Sequence, residues 1–101
     1  MTKYKIVATE DYEKDLDTLY QVIAIGYKSP ITAKRYLAGL MYTVEELELI
    51  AGALPYCQNR YVIEKYGVFT KRLNYKNVAI LFEVENDVVF ILRILPQSII
   101  Y

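Results

Sequence analysis

The chain has 101 residues, 54% of them hydrophobic, and its 12 Lys plus Arg are balanced by 12 Asp plus Glu. At this length one domain with a real core is expected over residues 1–101, and the apolar content excludes intrinsic disorder. With no histidine, Ser-His-Asp and Cys-His catalysis and histidine-ligated zinc are excluded, so any chemistry falls to Arg, Lys, Tyr or carboxylates.

Lys3 to Thr9 holds enough β-formers (Tyr4, Ile6, Val7) for a first strand. Thr9 then offers a capping hydroxyl, and Glu10 and Asp11 oppose the positive helix end. Tyr12, Leu16, Leu19, Tyr20 and Ile23 form one stripe of a 3.6-residue period, which predicts a first helix. Gly26 supplies a left-handed stop, and Ser29-Pro30 restarts the chain with a cap and a proline at the first helical position. Ala33, Leu37, Leu40, Val44, Leu47 and Ala51 carry a second helix that Gly52 closes. So short a connection makes the two helices an antiparallel hairpin whose apolar face needs covering.

Ala53 to Arg60 reads as a loop, and Tyr61 to Tyr66 as a short extra strand or irregular chain. Val68 to Tyr75 is a predicted strand, with a turn at Lys76-Asn77. Asn86-Asp87 makes neighbours of Val78 to Glu85 and Val88 to Leu95, because both turn residues tolerate positive φ. Val88 to Leu92 lacks polar alternation and is expected at the centre of the sheet. The predicted fold is α+β, in the order β-α-α-β-β-β, with a helical hairpin packed on a small, mainly antiparallel sheet.

Cys57 is the lone cysteine. It cannot form an internal disulfide or a cysteine cluster, and it reads as a small hydrophobe in a reducing, cytoplasmic setting. Ile6 to Ala8 is too short an apolar run for a signal peptide, and Val88 to Leu92 falls far below the roughly 20 residues of a membrane span, so no membrane role is expected. Glu45, Glu46 and Glu48 spread around their helix and are assigned to solvent. No metal and no cofactor are expected.

Most of the basic surplus lies in Arg60, Lys65, Lys71, Arg72 and Lys76, which face only Glu64. Clustered cations of this kind bind phosphate, but a solvated strand edge has the same composition, and no continuous basic run is present. Tyr12, Tyr20 and Tyr36 belong to the core or its rim, whereas Tyr75 and Tyr101 are freer to act. Arg93 interrupts an apolar strand, and its guanidinium calls for a carboxylate partner, the default, or a sheet edge exposed to water.

Several runs together resemble the RelE/ParE superfamily, the toxins of type II toxin–antitoxin or plasmid-stabilisation modules. Tyr12-Glu13-Lys14-Asp15-Leu16 is similar to the family's first helix, Pro30 through Ala33 to the start of its second, and Leu54-Pro55 to the loop after it. Lys71-Arg72 resembles its basic strand, and Asn77 to Val84 followed by Val88 to Leu95 its hairpin. The resemblance covers nearly the whole chain and implies one toxin domain, a cognate antitoxin and one of two actions. Members similar to RelE are ribosome-dependent endoribonucleases that cleave messenger RNA with basic residues and a late tyrosine, without a metal. Members similar to ParE bind DNA gyrase.

On the nuclease pattern Lys71, Arg72 and Tyr101 would be catalytic. Ala79, however, stands where the nucleases carry an arginine, and Leu95-Pro96-Gln97-Ser98 replaces a basic or histidine-containing segment. Each missing phosphate-facing charge removes about 10² or more in rate. The resemblance therefore favours a growth-inhibiting toxin that binds a protein target, DNA gyrase first, and is held inactive by its antitoxin. Arg60, Lys65, Lys76, Arg93, Ile99 and Ile100 are its expected target or antitoxin contacts. The nuclease, or an inactive antitoxin-binding relative, is the alternative. An antitoxin is expected to lay a helix in the apolar groove between hairpin and sheet, or to add a strand at an edge.

Overall fold

The computed structural model describes residues 3–100. Strand β1 (Lys5–Ala8) leads into α1 (Glu10–Gly26) and α2 (Pro30–Glu45), followed by the single turn α3 (Leu47–Ile50) and a 3₁₀ turn, Ala51–Ala53. A further helix, α4 (Arg60–Tyr66), precedes β2 (Lys71–Tyr75), β3 (Val78–Glu85) and β4 (Val88–Pro96). The sheet order is β1-β4-β3-β2, parallel between β1 and β4 and antiparallel elsewhere.

The predicted caps form. Thr9 accepts from the Tyr12 backbone N–H at the start of α1, and Ser29 from that of Thr32 at the start of α2, with Pro30 at the first position. The Thr9 hydroxyl also donates to the Ile91 carbonyl at 2.6 Å, so one side chain ties the end of β1, the start of α1 and the middle of β4.

Two predicted details are corrected. The left-handed residue after α1 is Lys28, with φ 52°, and not Gly26. Ser29 N–H bonds the Ala24 carbonyl and Lys28 N–H that of Ile25, the pattern of a Schellman cap with lysine in the usual glycine place. The second helix breaks at Glu46, whose N–H turns to the Thr43 carbonyl in a tighter 3₁₀ bond. Leu40, Val44, Leu47 and Ala51 are nevertheless all buried in one cluster, so the apolar stripe continues across the break.

Alternation along β3 divides the core. Val78, Ile80 and Phe82 face α1, α2 and α3, while Ala79 and Leu81 face the other side. A bulge leaves Leu92 unpaired, because Phe82 pairs with Ile91 and Leu81 with Arg93. The extra residue brings Ile91 and Ile94 to the same helical face, which strict alternation would forbid. On the opposite face α4 supplies Val62 and the carboxyl-terminal segment supplies Ile100, both fully buried with Leu81 and Leu95.

The helix α4 corrects the strand or irregular reading of Tyr61 to Tyr66. Asn59 caps it by accepting from Val62 N–H, and Gly67 at φ 104° ends it. Gly67 and Thr70 then turn the chain, so β2 begins at Lys71 and leaves Val68 and Phe69 exposed. Among the described residues no helix is long and apolar enough to cross a membrane.

Candidate functional site

Lys71 and Arg72 are neighbours on β2 and therefore point to opposite faces of the sheet. Lys71 is buried on the helical side. Its ammonium donates to the Ala51 carbonyl at 3.1 Å and the Gly52 carbonyl at 3.4 Å, and the Tyr56 ring covers it at 5.3 Å. Those carbonyls belong to the 3₁₀ turn that follows α3, and the ammonium satisfies them. Arg72 is half-buried on the other side, donating to the Ile100 carbonyl at 2.6 Å and to Asn74 Oδ1 at 2.7 Å. It lines an open cleft of about 450 Å³ with Asn74 and the Pro55–Asn59 loop.

Arg93, Arg60 and Lys65 are also engaged. Arg93 forms a two-point pair with Asp15, at 2.7 and 3.2 Å, and donates to the Tyr66 hydroxyl. The hydrogen bond to Asp15 raises the Arg93 pKa above its ordinary value, burial opposing it. The same Asp15 carboxylate accepts from Ile94 N–H at 2.8 Å, closing the part of the β4 edge that the four residues of β1 do not reach. On α4, Arg60 pairs with Glu64 at 3.0 Å, and Lys65 donates to the Tyr61 hydroxyl, which raises its pKa.

Lys76 stands at the opposite end of β2, in the β2–β3 turn, with its ammonium 5.6 Å from the Tyr36 ring centre and 5.7 Å from that of Tyr75. The two rings meet edge to face, Tyr75 donates to the Tyr36 carbonyl, and Tyr36 donates to Asn77 Oδ1 at 2.7 Å. Tyr75 is thus a packed residue and not a free one. Ile99 is about half exposed, whereas Ile100 is buried and turned into the far-side core. Tyr101 lies outside the described residues. Among those described, no group of three or more acidic or cysteine side chains is placed to hold a metal ion.

Sequence reasoning missed Asp15 as the partner of Arg93. The signal was present: Asp15 follows Tyr12 by three residues and precedes Leu19 by four, so a carboxylate occupies the apolar stripe of α1. It also missed the Lys71–Tyr56 contact, which rests on an isolated bridge between those residues that no local pattern announces.

No protein-family model and no curated protein matches the chain. Solved structures do match it. One is a chain of the chromosomal ParDE toxin–antitoxin system from P. aeruginosa, at TM-score 0.72 and 20% identity over 93% of this chain and 96% of that one. Another is in the toxin–antitoxin complex RelBE2 from Mycobacterium tuberculosis, at TM-score 0.61 and 16% identity over 93% and 98%. A copper-bound mutant toxin from Helicobacter pylori matches at TM-score 0.51 and 14% identity over 97% and 99%. The chain has the fold of the RelE/ParE toxins.

Proposed function

We propose that this chain is the toxin of a type II toxin–antitoxin module, that it arrests growth by binding a protein target, and that a cognate antitoxin neutralises it. The observation that carries the reading is the dispersal of its cations. A phosphate site needs several positive groups aimed at one point in a water-poor cleft. Here Lys71 and Arg72 diverge, Arg93 is held by Asp15, and Lys76 lies at the far turn. What remains is a surface with exposed apolar residues on its helices and loops, among them Val22, Ile25, Val68 and Phe69, suited to protein contact.

DNA gyrase is the first target to test. Purified chain is expected to inhibit plasmid supercoiling by gyrase and to trap broken DNA, and co-expressed antitoxin to abolish both. Rapid loss of messenger RNA on expression would replace this reading with the endoribonuclease, whose remaining support is Arg72 at the polar cleft. Unimpaired growth would leave an inactive antitoxin-binding relative.

A further inference from the structure

The helix α2 and the turn α3 carry two stripes of helical period. Ala33, Leu37, Leu40, Val44, Leu47 and Ala51 or the turn after it make the first, and every member is buried or half-buried. The second runs Ile31, Arg35, Ala38, Tyr42, Glu45 and Leu49, each two residues before a member of the first and so about 200° around the helix. All six are exposed, Ile31 by 63%, Tyr42 by 69% and Leu49 by 59%. Their alternating steps of 4 and 3 residues are those of a helix that packs along its length on another helix.

The order of residues along this outer stripe is symmetric about Leu40. Ile31 and Leu49 lie nine residues either side of it, Arg35 and Glu45 five, and Ala38 and Tyr42 two. Laid antiparallel on its own copy, the stripe therefore sets Ile31 against Leu49, Arg35 against Glu45, and the small Ala38 against the large Tyr42. Each pairing occurs twice, as a two-fold axis requires. A parallel arrangement would instead set Arg35 on Arg35 and Glu45 on Glu45. Both charges are open to a partner, because among the described residues neither Arg35 nor Glu45 forms an ion pair. A membrane surface fits the stripe poorly, since it mixes an acid with a base and lacks the cationic face that anionic lipid attracts.

We propose that this outer face of α2 and α3 pairs with a second copy of the chain, antiparallel about a two-fold axis at Leu40. From Ile31 to Leu49 the contact runs about 27 Å at 1.5 Å per residue. One helix pair of that length buries less than the roughly 1,600 Å² of a standard interface, so the dimer is weak, with a dissociation constant in the micromolar range. The charges inside the seam fix its register. This goes beyond the toxin reading and stands whether or not the chain arrests growth.

Sedimentation equilibrium of the intact protein, from micromolar to millimolar concentration, tests it. A monomer–dimer equilibrium is expected. Arg35→Glu and Glu45→Arg are each expected to weaken the dimer at least about tenfold, because each brings like charges together at two points, while the circular dichroism of the fold is unchanged. The double variant Arg35→Glu/Glu45→Arg is expected to dimerise as the wild type does, and an equimolar mixture of the two single variants to form a heterodimer. A monomer at every concentration, whether or not it binds phosphatidylserine vesicles, would overturn the proposal. So would an open-ended assembly, a dimer indifferent to the single reversals, or a double variant that stays monomeric.

Discussion

Asp15 bonds a guanidinium and a backbone N–H with one carboxylate, and both it and Arg93 are mostly shielded, with side chains 16% and 30% exposed. Removing it strands a charge and an edge N–H together. Asp15→Ala is expected to cost about 2–3 kcal/mol in urea melts, below the range for a fully buried pair because water still reaches the guanidinium. Asp15→Asn, which keeps an acceptor for Ile94, is expected to cost less. Tyr12 gives a separate handle: burial raises its pKa above the ordinary value. The folded state then holds the phenolic proton where the unfolded chain releases it. Stability from this residue is complete below about pH 10 and falls as pH rises through the elevated folded value. Melting temperatures measured from pH 9 upward are expected to decline less steeply in Tyr12→Phe.

Between elements, Gly39 marks where α2 meets β2. A Cβ there would collide with the Tyr75 hydroxyl, which donates to the Tyr36 carbonyl at 3.0 Å. Gly39→Ala is therefore expected to destabilise although alanine is the better helix former by about 1 kcal/mol, and Tyr75→Phe to restore part of the loss. A double-mutant cycle by chemical denaturation reads the coupling. The sequence showed only a glycine inside a helical stripe, because its partner lies 36 positions away. Where both partners were local, the reading succeeded: the Thr9 and Ser29 caps and the β3–β4 turn formed in place, with Asn86 at φ 57°. The helix α4 was missed because its seven residues show less than two periods of an apolar stripe and, after Arg60, run Tyr-Val-Ile, good strand formers. Its caps, Asn59 and Gly67, were the available sign.

Over the whole molecule, equal numbers of acids and bases conceal a segregation that decides what the surface can do. The sequence showed Arg60, Lys65, Lys71, Arg72 and Lys76 as one basic stretch. Strand alternation, a helix and a turn send them in different directions, so the stretch is not a patch. Lys71 in particular serves stability: Lys71→Met is expected to lower it by about 1–3 kcal/mol by leaving the Ala51 and Gly52 carbonyls without their donor. The opposite holds for the hairpin end, where residues distant in sequence, Val22 and Lys76, line one cleft that no linear pattern revealed.

The integrity of messenger RNA in cells induced to express the chain tests the central claim most directly. Growth is expected to stop while transcripts, followed by primer extension over the first minutes, remain full length, in wild type and in Arg72→Ala alike. Transcripts cut within that time in wild type, and spared when Arg72 is replaced, would contradict it.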